Sequence, residues 1–558
     1  MTATATPAVP DDHDRAPIEL PQRVRLEILG AVLLGIFLAA LDQTIVGTAL
    51  PTIVTELKGN DVYVWAFTAY LLTSTISGPI YGKLSDIFGR RPIFLIGVSI
   101  FLIGSLLCGL SQEMWQFILF RGVQGLGAGA LFPIALAIIA DIFAPSERGK
   151  YQGFFGAVFG VSFLLGPAIG GLITDNFGWH WIFFVNLPLG IFVLYVIWRT
   201  LPTHREEGAD RHIDYLGAAL LVGALVPFLI GFTNKQFGEW TDPEVGGLIA
   251  LGVVVAALFV FAESRAHEPI VPLQLFRLRT FTASVTAMFL AAMGFFAAVV
   301  FLPRWFQFVN GSSATEAGYQ ILPLVGGLII SAVGSGQFVA RTGRYKTLII
   351  AAMLLLAFGL FLMTNLRPDT PLPLLWLWMF VAGLGIGPSF AVFTLAVQNS
   401  VPVRDLGTGT SSLTLFQQLG GTIGLAITGT IFGSKLLEEV PKQLVAAGVP
   451  PEFSNEFTKG GATQFNQLTS LGDLGASILA SVPDEAKAFV QPLIPAMVEG
   501  IHTAFSIAVA ATFVVGIVTA LIAAVVVFIV MPAGKIGERE DAGFGRRASV
   551  GEAKPATD

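Results

Sequence analysis

Fourteen long apolar runs divide this sequence and restrict its fold more than any other feature. A helix needs ~20 mostly apolar residues to cross a hydrocarbon layer ~30 Å thick. Only 13% of the 558 residues are charged, about half the usual share in soluble proteins. We therefore predict an all-α membrane protein with 14 transmembrane helices near residues 27–50, 62–81, 93–110, 114–139, 151–173, 181–200, 213–232, 245–263, 280–304, 317–340, 347–365, 372–396, 407–432 and 502–531.

The basic residues indicate which way the spans run. An even number of spans puts both termini on one side of the membrane. Of the 32 Lys and Arg residues, 23 fall in the tails and loops on that side, eight fall on the other side, and Arg121 lies inside a span. Short cytoplasmic loops collect basic residues, so both termini are predicted to be cytoplasmic.

An internal repeat indicates how the spans are grouped. Gly82–Pro92 (GKLSDIFGRRP) and Gly336–Lys346 (GQFVARTGRYK) share Gly, a second Gly seven residues on, and then Arg. Each follows the second span of a six-helix unit, which is typical of transporters built from fused halves. The predicted parts are a disordered tail 1–26, an N-terminal six-helix bundle 27–200, an inserted helix pair 213–264, a C-terminal six-helix bundle 280–531 with an external loop 433–501, and a disordered tail 532–558.

Five segments resemble motifs of one known family. They are LDQTIVGTALP at 41–51, GKLSDIFGRRP at 82–92, RGVQGLGAG at 121–129, GVSFLLGPAIGG at 160–171 and WHWIFFVNLPLG at 179–190. Together they are similar to the major facilitator superfamily, specifically its fourteen-span branch of drug:proton antiporters. Gly47, His180 and Ala340 depart from residues common in that branch. The first two bear on substrate preference, and the third suggests that only the N-terminal loop carries the full set of charges.

The resemblance implies a proton-coupled exporter of lipophilic compounds in a plasma membrane, in a bacterium. The expected partners are a small lipophilic substrate, protons and the lipid bilayer, and the expected state is a monomer. No cofactor and no metal are expected. Exporters of lipids, amphiphiles or siderophores, and proton-coupled nutrient symporters, remain open alternatives. We expect neither an ATP-driven pump nor an enzyme, because GxxxxGK[ST], HExxH and GxSxG are absent from the sequence. The net charge of −6 gives no basic footprint for nucleic acid.

Two charged residues lie deep in predicted spans. Asp42 is ~12 Å from the outer end of the first span, and Arg121 lies at a similar depth in the fourth. A charge at that depth costs roughly 3 kcal/mol. One interpretation is a structural ion pair. The other is a proton site, because burial favours a neutral carboxyl group and a nearby guanidinium favours an ionised one. Movement of Arg121 would then switch proton binding, and the membrane potential adds ~2.3 kcal/mol per charge per 100 mV. An acid at this position favours cationic or neutral substrates.

Two other motifs suggest moving parts, and each has a plainer interpretation. The loop residues are either topology anchors or, as the resemblance implies, a cytoplasmic latch whose closure favours an outward-open state: Gly82, Asp86, Gly89, Arg90 and Arg91. The fifth span carries small residues that either pack helices closely or form a sliding surface between the bundles: Gly160, Gly166, Pro167, Gly170 and Gly171.

The remaining candidates are polar or aromatic residues inside spans and acids near span ends. We expect the substrate cavity to include Gln43, Gln124, Phe295, Gln307, Gln398 and Gln417, although each residue type more often packs helices together. The acids Asp141, Glu263 and Glu316 lie near span ends. We interpret all three as solvated helix ends.

Overall fold

A computed structural model describes most of the chain, and nearly all of the described residues are helical. The described residues are 20–57, 64–203, 214–235, 238–267, 269–402, 405–450, 474–481, 487 and 490–534. This architecture confirms the all-α membrane fold.

Seven helices form the N-terminal bundle, and α6 and α7 together make its sixth span. They are α1 (Gln22–Glu56), α2 (Val64–Phe88), α3 (Arg90–Gly109), α4 (Met114–Ile142), α5 (Pro145–Phe177), α6 (Trp181–Phe184) and α7 (Asn186–Thr200). The inserted pair consists of α8 (Tyr215–Asn234) and α9 (Leu248–Glu263), which follows a short π-helix, Pro243–Gly247.

The second half begins after a 3-10 turn at Leu273–Arg277. Its helices are α10 (Arg279–Phe308), α11 (Ala314–Gln320), α12 (Leu322–Thr342), α13 (Lys346–Met363), α14 (Leu372–Ser400), α15 (Leu406–Ala446), α16 (Leu474–Ser481) and α17 (Ile494–Val530), with a 3-10 turn at Gln491–Leu493 before the last.

Twelve stretches within the described ranges are long and apolar enough to cross a membrane. The predicted second and fifth spans, α2 and α5, are not among these twelve. Both are long helices, of 25 and 33 residues, but α2 contains the hydroxyl-rich run Thr73–Ser77. Both pack between other helices of the bundles, where a polar side chain need not face lipid.

The helix boundaries differ from the predicted ones at three places. Helix α1 already begins at Gln22, inside the predicted tail, and the rest of both predicted tails lies outside the described residues except for 20–21 and 532–534. The sixth span is broken at Val185, because Pro188 has no N–H to donate to the carbonyl four residues earlier. The predicted external loop is shorter than expected, since α15 continues to Ala446 and α17 begins at Ile494.

Local sequence explains several helix ends. Helix α12 ends at Gly343, whose φ of 68° favours glycine. Helix α11 begins with a capping box between Ser313 and Glu316. Glu316 is exposed, as expected for a solvated helix end.

Two pairs of helices make the most extensive contacts between the two halves. Helix α2 packs on α15, and α5 packs on α12. Each half has its own apolar core, around Phe94, Phe101 and Ile134 in the first and around Phe393, Phe505 and Phe513 in the second. The inserted pair packs against α2 and α15 through Leu225 and Leu415, so it covers the junction between the halves.

Candidate functional site

Asp42 on α1 and Arg121 on α4 form a buried ion pair. Arg121 Nη1 lies 2.6 Å from Asp42 Oδ2. Asp42 is 2% exposed and Arg121 is fully buried. The contact puts the two residues at the same level of the bundle, in agreement with their similar distances from the outer ends of the first and fourth spans. This geometry agrees with both interpretations of the pair, as a structural contact and as a proton site.

The other oxygen of Asp42 is held by two amide side chains. Gln124 Nε2 donates to Asp42 Oδ1 at 2.9 Å, and Asn186 Nδ2 donates to the same oxygen at 3.3 Å. Asn186 also donates to Ser105 Oγ at 3.0 Å, and Arg121 donates to Gln124 Oε1 at 2.8 Å. The carboxylate thus accepts hydrogen bonds from helices α4 and α7, which fix its orientation.

Helix α2 completes the enclosure of Arg121. The guanidinium carbon lies 4.2 Å from the centre of the Tyr70 ring, and Arg121 Nε donates to the Ala66 carbonyl at 3.3 Å. Its Nη2 atom is buried and has no hydrogen-bond partner among the described residues. Every residue of this network belongs to the N-terminal half, so the pair is closed off inside one bundle and does not lie in the junction between the two.

Asp86 joins α2 to the start of α15 in the other half. Its carboxylate accepts the backbone N–H groups of Gly407 at 3.0 Å and Thr408 at 2.9 Å, and the Thr408 hydroxyl at 3.0 Å. The first N–H groups of a helix lack partners within the helix and carry partial positive charge. An anionic carboxylate at this point therefore ties the two halves together.

The two arginines of the predicted latch, Arg90 and Arg91, have different contacts. Arg90 pairs with Asp86 and also with Asp141 Oδ2, at 3.0 Å. Asp141, expected as a solvated helix end, instead forms an ion pair with Arg90, which places the guanidinium between two carboxylates. Arg91 bonds with the Trp198 carbonyl and with Thr203 Oγ1, at 3.0 Å. Its contacts therefore stay within the N-terminal half.

At two positions of the predicted latch loop, the backbone or the packing requires glycine. Gly89 has a φ of 93°, which other residues rarely adopt. A methyl group at Gly82 would overlap Ser411 Oγ and lie 2.8 Å from the Gly407 carbonyl oxygen. Helix α15 therefore reaches α2 only because position 82 has no side chain.

The glycines of α5 contact both halves. A methyl group at Gly160 would overlap Ile329 Cδ1 on α12, and one at Gly166 would overlap Thr44 Oγ1 on α1. Gly170 lies against Ile45 of α1, with 3.1 Å between the methyl position and the Ile45 carbonyl oxygen, whereas a methyl group at Gly171 would have Thr315 Oγ1 as its nearest neighbour, at 3.9 Å. Pro167 lies within α5.

The six predicted cavity residues differ in their contacts and burial. Gln124 is part of the Asp42 network. Gln398 Nε2 donates to the Leu136 carbonyl oxygen at 3.2 Å and to Thr410 Oγ1 at 3.4 Å, which connects α14 to α4 and α15. Phe295 packs edge-on against Phe296 and Phe390. The other three range from exposed to buried: Gln43, Gln307 and Gln417.

Sequence reasoning missed three contributors: Asn186, Asp141 and Thr408. Asn186 lies in the motif segment 179–190, and this polar side chain inside a predicted span was the available signal. No signal identified Thr408, because a helix N-terminus becomes a ligand only through its neighbour in the fold. Within the described ranges, no three His, Cys, Asp or Glu residues are grouped to hold a metal ion.

Comparison with known proteins identifies relatives over most of the chain. Multidrug transporter protein MdtP of Bacillus subtilis (strain 168) is 38% identical over 416 residues, covering 74% of this chain and 76% of that protein. Multidrug resistance protein 3 of the same organism is 38% identical over 406 residues, covering 72% and 78%. The Tetracenomycin C resistance and export protein of Streptomyces glaucescens is 34% identical over 422 residues, covering 75% and 78%.

Solved structures show the same fold at low sequence identity. The proton:xylose symporter XylE aligns with a TM-score of 0.57 and 14% identity, covering 93% of this chain and 99% of that one. The human organic anion transporter MFSD10 aligns with a TM-score of 0.55 and 17% identity, covering 74% and 94%. The family model described as Major Facilitator Superfamily matches residues 32–425. The chain belongs to the Major Facilitator Superfamily and is a multi-pass membrane transporter, not an enzyme.

Proposed function

We propose that this transporter exports lipophilic cationic or neutral drugs or toxic compounds in exchange for protons. Relatives at 34–38% identity are named for multidrug transport, resistance and export, which supports export and breadth of substrate. We place the transporter in a bacterial plasma membrane as a monomer with both termini in the cytoplasm. Its proposed parts are the bundles 27–200 and 280–531 and the inserted pair 213–264.

One observation carries the proton coupling: Asp42 is a buried acid whose only basic partner among the described residues is Arg121. Loss of that partner would leave a carboxylate in an apolar interior, where it takes up a proton more readily. Arg121 already has an alternative set of contacts in Gln124, the Ala66 carbonyl and the Tyr70 ring. The pair therefore has the parts of a two-state proton site.

The latch supplies the alternating access. Asp86 holds the N-terminus of α15 only when the two halves are close at this end. In this structure the latch is closed, which favours an opening toward the other side of the membrane. Proton binding at Asp42 and opening of the latch are then two events of one cycle, connected through the packing of α5 on both α1 and α12.

Proteoliposomes with an imposed pH gradient test the proposal. We expect gradient-driven dye or drug transport by the native chain and loss of it in Asp42→Asn. Exchange of substrate across the membrane without a gradient should persist in this variant, because the latch and the α5 contacts are unchanged. Asp175→Asn, which alters an exposed acid at the end of α5, is the matched control and should transport normally.

Two results would contradict the proposal. If folded Asp42→Asn retained full gradient-driven transport per molecule, the ion pair would be structural only. If the pH gradient drove accumulation of substrate in the same direction as the protons, the protein would be a symporter. Size-exclusion profiles and thermal unfolding of each variant separate these outcomes from misfolding.

A further inference from the structure

Glu263, the last residue of α9, is buried at the end of the inserted pair. The sequence predicts a solvated helix end here, but Glu263 is only 3% exposed. The chain after α9 folds back over it, and Ile270 N–H donates to Glu263 Oε1 at 3.2 Å. The other oxygen, Oε2, is buried and has no hydrogen-bond partner in the described part of the chain. A buried oxygen without a donor is costly.

A second carboxyl group faces the first. Asp214 caps the start of α8, where its Oδ1 accepts the Gly217 N–H at 2.7 Å. Asp214 Oδ2 is buried and, among the described residues, also has no partner. A methyl group added at Gly217 would lie 2.5 Å from Asp214 Oδ2 and 2.9 Å from Glu263 Oε1. Asp214 Oδ2 and Glu263 Oε1 therefore lie no further apart than the sum of these two distances. Gly217, which has no side chain, lies between them.

The charged groups in the described part of the chain do not neutralise both carboxylates. Among the described residues, the charged groups that act on Glu263 are Asp214 from α8 and Lys83 from α2. The positive charge of Lys83 balances only one of the two carboxylates. The negative charge of the other carboxylate therefore remains next to its partner. Two close carboxyl groups relieve this repulsion when they bind one proton between them. The bound proton forms an O–H on one group, which donates to an oxygen of the other and so supplies the missing donor.

We propose that Asp214 and Glu263 form a second proton-binding site, which binds one proton from the cytoplasmic water and shares it between the two carboxyl groups. This site lies at the opposite end of the inserted pair from the exposed Glu244. It is separate from Asp42 and does not depend on the proposed transport cycle.

The location gives the proton a structural effect. Ile270, which donates its N–H to Glu263, and its neighbour Val271 belong to an apolar cluster. The cluster also contains Leu225 of α8, Ile76 of α2 and Leu415 of α15. The segment after Val271 leads into α10 and the C-terminal bundle. Loss of the shared proton places two like charges beneath this apolar cluster, and we expect it to loosen the attachment of the connecting segment.

Infrared pH-difference spectra of the full chain in lipid nanodiscs test the site directly. As the pH rises from about 5.5 to about 8.5, the native chain should lose a protonated-carboxyl band. Buried carboxyl groups can release their protons in this range. The band should persist in Asp42→Asn and disappear in Glu263→Gln and in Asp214→Asn. Glu244→Gln is the matched control and should leave it unchanged.

Thermal unfolding gives a second measurement. The native chain should unfold at a lower temperature as the pH rises, since the shared proton is lost and two charges remain. Glu263→Gln should lose this dependence, because its amide keeps the oxygen that accepts from Ile270 and provides a permanent N–H donor toward Asp214. The amide variant should therefore be the more stable of the two at high pH.

The proposal is overturned if folded Glu263→Gln and Asp214→Asn both keep the native band, or if the native chain shows no pH-dependent band beyond that of Asp42. It is also overturned if Glu263→Gln has the same pH-dependent unfolding as the native chain. If Asp42→Asn retained gradient-driven transport and also kept the second band, the antiport proposal would fail while this site would stand.

Discussion

Replacing Asp86 with Asn should open the latch. The carboxylate accepts three hydrogen bonds from the first turn of α15, and its side chain is only 5% exposed. All three bonds join the two halves, so they stabilise the closed state and are absent when the halves separate. Their loss therefore acts directly on the equilibrium between the states.

The magnitude follows from the hydrogen-bond pattern. Asn retains one carbonyl oxygen but presents an NH₂ group where a second oxygen accepts a backbone N–H. A hydrogen bond to a charged group contributes ~1.5–3 kcal/mol, and the interaction of a carboxylate with a helix N-terminus adds ~0.3–1 kcal/mol. We therefore expect a loss of about 2–4 kcal/mol, which corresponds to roughly a 30- to 700-fold shift toward the open state.

Cysteine accessibility measures this shift. The chain has one cysteine, Cys108, which is buried. The parent protein for this experiment carries Cys108→Ala, so that it contains no other thiol. Ser411→Cys provides the reporter, because Ser411 is fully buried and lies against Gly82 across the interface. Asp86→Asn should increase the rate of labelling by a water-soluble thiol reagent at least about 30-fold, the lower limit of the estimated shift.

Glu147→Gln is the matched control. Glu147 is an exposed acid near the latch, and its closest basic partner in the described structure is Arg25 at 3.9 Å. Such surface pairs contribute ~0–1 kcal/mol, so labelling should hardly change. Equal labelling rates in Asp86→Asn and the parent protein would refute the latch and reduce Asp86 to a topology residue.

Two further substitutions test the α5 interface and the Asp42 network. Gly160→Leu should abolish transport driven by the proton gradient while the protein still inserts and purifies, because its side chain would push α5 away from Ile329; Gly171→Ala, whose added methyl group would have no neighbour closer than 3.9 Å, should transport normally. Asn186→Ala should lower the free energy of unfolding by ~1–3 kcal/mol, since Asp42 Oδ1 and Ser105 Oγ each lose a donor. Denaturant unfolding measures the second effect, and a change smaller than that of Ser434→Ala on the exposed part of α15 would contradict it.

Helix geometry made the depth of the buried charges predictable. Counting residues from the span ends placed Asp42 and Arg121 at the same level because every helical residue advances by the same rise. The structure brings them to 2.6 Å. The count gave no direction around the helix axis, so it did not distinguish a residue facing a cavity from one facing its own bundle. The contact of Gln124 with Asp42 was therefore not predictable from the count.

Chain segments between helices were harder to predict. The expectation that acids at span ends are solvated holds for Glu316, which caps α11, and is wrong for Glu263. The difference lies in the path of the chain beyond each acid. After Glu263 the chain turns back, and Ile270 and Val271 cover the carboxyl group. A count of hydrophobic residues carries no information on such a return of the chain, whereas it suffices for the spans themselves.

The burial of Asp42 within one half has a consequence for coupling. If the two halves only rocked as rigid bodies, the surroundings of Asp42 would not change, and no motion would alter its affinity for a proton. Coupling therefore requires a helix that belongs to the N-terminal bundle and also bears on the other half. Helix α5 fits this requirement. Gly160 contacts α12.

The same helix also holds α1 close to the buried acid. Thr44, two residues after Asp42 on α1, contacts α5 at two places. Its Oγ1 donates to the Ser162 carbonyl at 3.1 Å, and Gly166 lies against its side chain. A shift of α5 against α12 would thus be transmitted to the segment of α1 that carries the carboxylate. On this reasoning, Gly160→Leu and Asp86→Asn should differ in kind: the first should disconnect protons from substrate movement, and the second should change only the populations of the two states.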